Sequence, residues 1–156
     1  MDDALVEDFF GSLAMLDPLG AGLPRTIQHV RSQWSEADVH HLPRLLRHLE
    51  KALTNTLYAP RDFQTAIRKV NSETAAFLCL EAICAIQRSP DDVPPVVRDC
   101  LLAPDISLRF KALAYIGRAK SVDGQTIAAV RSVLRDAKGS IGNRLYALWV
   151  LWCLGE

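Results

Sequence analysis

"LLAPDISLRFKALAYIG" (residues 101–117) and "VLRDAKGSIGNRLYALWVLWCLG" (residues 133–155) are the stretches that decide the fold. Laid over one another, Arg109 falls on Arg144, Ala112 on Ala147, Leu113 on Leu148 and Ile116 on Leu151, an offset of 35 residues. A fainter copy lies upstream at an offset of 33, where Phe77 matches Phe110, Leu80 matches Leu113 and Ile83 matches Ile116. A period in this range points to stacked helical pairs and not to a closed bundle, because each pair leaves an apolar face that only a neighbour covers. The expected fold is all-α: antiparallel helix pairs stacked as a solenoid, about seven or eight helices in all.

Outward from the repeat, apolar residues recur at spacings of three and four from Leu42 onward, and strand-turn-strand signals are missing. "HLPRLLRHLEKAL" (41–53) is an amphipathic helix with Leu42, Leu45, Leu46, Leu49 and Leu53 on one stripe, and Pro43 suits its first turn. "APRDFQTAIRKV" (59–70) predicts a helix with Phe63, Ala66, Ile67 and Val70 inward. "SETAAFLCLEAICAIQR" (72–88) predicts a separate, central helix capped by Ser72. The prolines of "SPDDVPPVV" (89–97) mark a break. Helices then follow over about 95–102, 107–119, 125–137 and 142–154. Residues 2–16 read as a helix with Leu5, Phe9, Leu13 and Leu16 on one face, "DPLGAGLP" breaks it, 25–34 form another helix, and "SEAD" (35–38) caps what comes next. The chain is expected to be a single α-helical domain: an N-terminal cap over 1–40, degenerate pairs over 41–92 and two clear repeats over 93–155.

The stretch 101–117 resembles a HEAT-type repeat of the bacterial kind. That pattern has an aspartate in the turn, an arginine after a hydrophobic residue at the start of the second helix, small and apolar residues at helical spacing, and a closing glycine. Asp105, Leu108, Arg109, Ala112, Ile116 and Gly117 take those places. The second copy offers Asp136, Arg144, Ala147 and Leu151, with extra residues in its turn and Trp152 where the glycine would stand; the copy around 62–88 lacks the arginine. The resemblance implies a scaffold that holds proteins together or, in a few members, binds nucleic acid; fold alone does not choose. It also implies that Arg109 and Arg144 play matching structural roles at the inter-helix turns.

Composition narrows the function classes. Apolar residues make 49% of the chain and charged residues 23%, an ordinary globular balance. Eighteen basic residues against eighteen acidic ones give no net charge, unlike a dedicated nucleic-acid binder. The acidic start "MDDALVEDFF" has no secretory pattern, no apolar run reaches bilayer length, and the expected compartment is the cytoplasm. Cys79, Cys84, Cys100 and Cys153 sit in apolar helical patterns without a CxxC pair and read as buried thiols.

Catalytic patterns are missing: no phosphate loop, no GxSxG and no HExxH occurs. No cofactor and no metal is expected. His41 and His48 stand two turns apart, about 10.5 Å along the axis, too far to share an ion. The stripe His41, Arg44, Arg47, His48 and Lys51 has two readings. It is either the wet face of an amphipathic helix or a patch for an acidic surface or phosphate, with only Glu50 nearby to neutralise it. The second candidate surface is the apolar run 145–154. Leu145, Leu148, Leu151, Trp152 and Cys153 are expected to cover the preceding repeat, leaving Tyr146, Trp149 and Val150 either under the N-terminal helices or in an interface. The leading expectation is a non-enzymatic protein-binding module, an adaptor or a toxin-neutralising immunity protein, with a protein partner and possible homo-oligomers. A nucleic-acid-associated repeat protein using the stripe at 41–51 is the alternative.

Overall fold

The computed structural model describes residues 3–14, 23–56 and 62–156. Every regular element among them is helical: α1 (Asp3–Ala14), α2 (Leu23–Gln33), α3 (Leu42–Thr56), α4 (Phe63–Ile86), α5 (Pro95–Asp99), α6 (Ile106–Ile116), α7 (Gly124–Arg135) and α8 (Ile141–Cys153). Two short 3-10 turns, Glu36–His41 and Cys100–Leu102, join them. The chain divides after Gln87 into two compact units, at the edge of the proline-rich break. No helix among the described residues is long and apolar enough to cross a membrane.

In the first unit α4 runs unbroken through Ser72, where the sequence predicts a cap between two helices. No proline or glycine lies between 63 and 86. Asn71 and Ser72 each cost only about 0.5 kcal/mol inside a helix, which packing readily offsets. The second half of α4 is the centre of the unit, with Ala76, Leu78, Cys79, Leu80, Ala82 and Ile83 buried. Leu45, Leu49, Ala52 and Leu53 of α3 are buried as well, and α3 and α4 form the main packed pair of the unit. On α1 the buried residues are Val6, Phe9, Phe10 and Leu13, while Leu5 stands exposed; Leu16 and the side chains of Phe63, Ile67 and Val70 lie outside the described residues. Phe9 meets both Phe10 and Trp34 edge-on, at centroid distances of 5.3 and 5.2 Å.

Two polar arrangements fix this unit. "SEAD" forms a capping box: the Asp38 carboxylate accepts from the Ser35 backbone N–H at 2.9 Å and from its hydroxyl at 3.1 Å. Glu81, buried in the middle of α4, accepts from Arg31 of α2 through both oxygens, at 3.1 and 3.0 Å. The fork matches the carboxylate in plane and leaves neither oxygen dry.

In the second unit three of the four α-helix starts have a visible reason. Pro95 takes the first position of α5. Asp105 caps α6 by accepting from the Leu108 N–H at 2.6 Å, and Asp123 caps α7 by accepting from the Thr126 N–H at 2.7 Å. Arg109 donates through Nε to the Ala103 carbonyl, and Arg144 donates through Nε to the Leu134 carbonyl at 3.1 Å. Each arginine thus reaches back from its own helix to the end of the preceding helical segment. The return spans six residues in the first case and ten in the second, which accommodates the longer turn. Asp136 does not repeat the capping role of Asp105; it follows α7 and lies 3.5 Å from the Arg109 guanidinium. The loop after α6 is tied to the proline-rich segment by Lys120 N–H to Pro90 O at 2.9 Å and Ser121 N–H to Asp91 O at 3.0 Å.

Helix α6 packs on α8 along a parallel course. The Asn143 amide donates to Ile106 O at 3.2 Å near the start of both helices. Near the end of α6, a Cβ placed on Gly117 would lie 3.2 Å from Val150 Cγ2 and 3.3 Å from Trp149 Cζ3. Three of the four cysteines are buried as expected; Cys153 is exposed, because its position on α8 turns away from α6 and α7.

Two stability outcomes follow from these contacts. Gly117→Val forces α6 and α8 apart and should cost about 1–3 kcal/mol by overpacking, whereas Gly117→Ala should cost less; urea unfolding of both variants checks the order. Arg31→Ala leaves Glu81 buried without its main counter-charge and should cost about 2 kcal/mol, discounted from a fully buried pair because Arg31 itself is largely exposed. An unchanged midpoint for Arg31→Ala would contradict the anchoring role.

Candidate functional site

The basic stripe on α3 is divided by its contacts. Arg44 forks onto Glu7 of α1, with Nη2 to Oε2 at 3.0 Å, and its guanidinium lies 4.0 Å from the centroid of the Phe10 ring. His48 stacks on the same ring, 4.4 Å from Phe10 with 29° between planes. His41 is half-buried beside His40 and Trp34, at centroid distances of 3.9 and 5.9 Å. The Nε2 of His41 and the Nε1 of Trp34 are both buried without a hydrogen-bond partner. Only Arg47 and Lys51 of the five point to solvent as exposed residues. The stripe, expected to lack internal neutralisation, is neutralised in part from a distance: Glu7, far away in sequence, pairs with Arg44. The acidic start was legible as favourable for a helix N-terminus, and nothing local to α3 announces the pairing.

These contacts set the electrostatics. The hydrogen bond from Arg44 holds the Glu7 carboxyl below the usual carboxylate range. Burial pushes the His48 imidazole below its ordinary value, and the charges of Arg44, Lys51 and Arg47 push it further the same way. Neutral His48 then stacks on Phe10 without a second cation beside Arg44. A cleft of about 220 Å³ opens next to it among α1, α3 and α4. Its polar wall is His48, Lys51, Asn55, Asn71 and Ser72; its apolar wall includes Leu13, Ala52, Ala75 and Cys79. Burial pushes the Cys79 thiol up to about 12, so the sulfur is protonated at neutral pH. Among the described residues no group of three His, Cys, Asp or Glu side chains is placed to hold a metal ion.

The second candidate surface lies on α8 and is larger than the two residues singled out in the sequence. Phe110 stacks on Tyr146 at 4.6 Å and 27°, and Tyr146 on Trp149 at 5.1 Å and 24°, a three-ring ladder running from α6 onto α8. Trp149 remains exposed and Tyr146 half-buried. Beside the ladder runs a ridge of apolar side chains at helical spacing: Ile141, Leu145, Leu148 and Trp152, exposed by 73, 63, 52 and 76%. This corrects most of the expected orientation of the helix: of the five residues expected to cover the preceding repeat only Leu151 is buried, while Trp149 is exposed as expected. Ala147, Val150 and Leu151 face the core, and Leu145, Leu148, Trp152 and Cys153 face outward. A helix that is apolar around most of its circumference carries no polar stripe to declare its wet side, so periodicity alone cannot orient it. The repeat register does not orient it either: Ile141, Leu145, Leu148 and Trp152 stand 35 residues after Ile106, Phe110, Leu113 and Gly117, yet Leu148 is exposed by 52% where Leu113 is buried.

Set beside models of known protein families, curated proteins and solved structures, the chain matches none of them.

The stack on Phe10 has a pH signature. With its folded pKa depressed, His48 binds fewer protons in the native state than in the unfolded one. Its contribution is complete above the ordinary histidine value and is lost as pH falls through the folded value. Glu7 acts in the same direction at lower pH, through the carboxylate range. The urea midpoint should therefore fall on acidification from neutral, and His48→Gln should flatten the upper part of that dependence. An NMR titration placing His48 at or above the ordinary histidine value would contradict the arrangement.

Proposed function

We propose that the protein is a non-enzymatic helical-repeat module of HEAT-like build, acting in the cytoplasm, whose α8 face binds another protein. The observation that carries this reading is the exposed ridge of α8 with the aromatic ladder beside it. Contiguous exposed apolar surface of this kind marks interaction sites, and Trp and Tyr are favoured among the residues that dominate binding energy. The repeat pattern with its two matched arginines supports the stacked architecture. An adaptor or a toxin-neutralising immunity protein fits such a design, because inhibition by occlusion needs a rigid complementary surface and no catalytic group.

The same contacts rank nucleic acid below protein as the partner. Arg44 is already paired with Glu7, which leaves Arg47 and Lys51 as the exposed cations of the stripe. Two phosphate contacts would give a salt slope of only about −2, far short of a dedicated binder.

Co-purification with the intact protein, compared among wild type, Trp149→Ala and Leu148→Asp, tests the reading once equal thermal midpoints have been verified. Wild type should retain a protein partner that both variants lose. Trp149→Ala should chiefly speed dissociation, by an amount equivalent to about 2 kcal/mol. Equal retention by all three would remove the α8 face from consideration.

A further inference from the structure

The two ridges of the second unit are the same ridge, met twice. On α6 it consists of Ile106, Phe110, Leu113 and Gly117; Leu113 is buried and α8 meets Gly117 closely, while Ile106 and Phe110 stay exposed by 55 and 46%. The Asn143 amide donates to Ile106 O, Tyr146 stacks on Phe110, and Trp149 and Val150 press on Gly117. Contacts advance together along both helices, from 106 with 143 to 117 with 150, so the two run parallel. On α8 the equivalent positions are Ile141, Leu145, Leu148 and Trp152, and all four are exposed. The spacing i, i+4, i+7, i+11 is a stripe about 16 Å long at 1.5 Å per residue, shaped for another helix and not for a strand.

We propose that this ridge receives an amphipathic α-helix of the partner protein, laid parallel to α8 as α8 lies along α6. This rests on the protein-binding reading above and names its occupant. Two features specify the docking helix further. Where α6 has Gly117, α8 has Trp152, so close approach requires a small residue on the incoming helix opposite the indole. Arg135 and Lys138 stand exposed at the end from which α8 starts and make no ion pair among the described residues. A parallel helix places its N-terminus at that end, so its first turn should be acidic, which also suits its own dipole.

The test uses the full chain and a stapled synthetic helix. The peptide has glutamates in its first turn, Tyr, Leu and Val on one stripe, and alanine at the place facing Trp152. A control peptide carries the same residues with apolar positions alternating. Saturable binding of the first peptide, with backbone protection mapping to α8, is expected. Leu148→Asp, or Leu145→Lys should the first variant lose stability, should weaken it by roughly tenfold or more. Replacing the peptide's alanine by phenylalanine should weaken binding similarly, and Trp152→Ala should restore it. Equal binding by the control peptide, no saturable binding up to about 10 mM, or indifference to Leu148→Asp would overturn the helix proposal. A dimer of this chain that Leu148→Asp dissociates would overturn it as well, by assigning the ridge to a second copy. If the peptide fails while Leu148→Asp still abolishes capture of the natural partner, the helix is wrong and the protein-binding reading stands.

Discussion

Gly117 carries the second unit. Helix α8 comes so near the end of α6 that a single methyl group there would already crowd Val150 and Trp149. That proximity brings Tyr146 over Phe110 and Asn143 within reach of Ile106 O. It also decides which side of α8 is left over. Once Ala147, Val150 and Leu151 are committed to the core, the helix geometry turns Leu145, Leu148 and Trp152 outward by necessity. The exposed ridge is therefore a consequence of the core contact and not an independent decoration.

The first unit is held by a different kind of constraint. Its long central helix is apolar on almost every side, yet Glu81 sits in the middle of it. A buried carboxylate is tolerable only where a cation comes to it, and Arg31 does so with a geometry that engages both oxygens. Nearby, Phe10 meets both Arg44 and His48, so the short-range order in that region is aromatic as much as ionic. Two of the five residues of the basic stripe on α3, Arg44 and His48, form a seat for α1.

Helix type and position were legible where a local cause existed: Pro95 at a helix start, "SEAD" ahead of α3, the aspartate in the turn before α6, the prolines just past the division of the chain. The matching roles of Arg109 and Arg144 at the inter-helix turns were legible because the arginine repeats; that both donate to backbone carbonyls is what the structure adds. What escaped were the partners brought from afar. Glu7 has nothing in its neighbourhood that points to Arg44, and Arg31 nothing that points to Glu81. The break placed at Ser72 failed because a weak helix former stops a helix only when packing does not demand that it continue. The outward side of α8 escaped for the opposite reason, since nearly every residue there was equally apolar and the thirty-five-residue register pairs the exposed Leu148 with the buried Leu113.

Trp152 gives that register a direction. At the place where α6 ends on a glycine, which lets Val150 and Trp149 come close, α8 carries an indole exposed by 76%. The two helices therefore end on opposite extremes of side-chain volume, and a surface built to the outline of one does not fit the outline of the other unchanged.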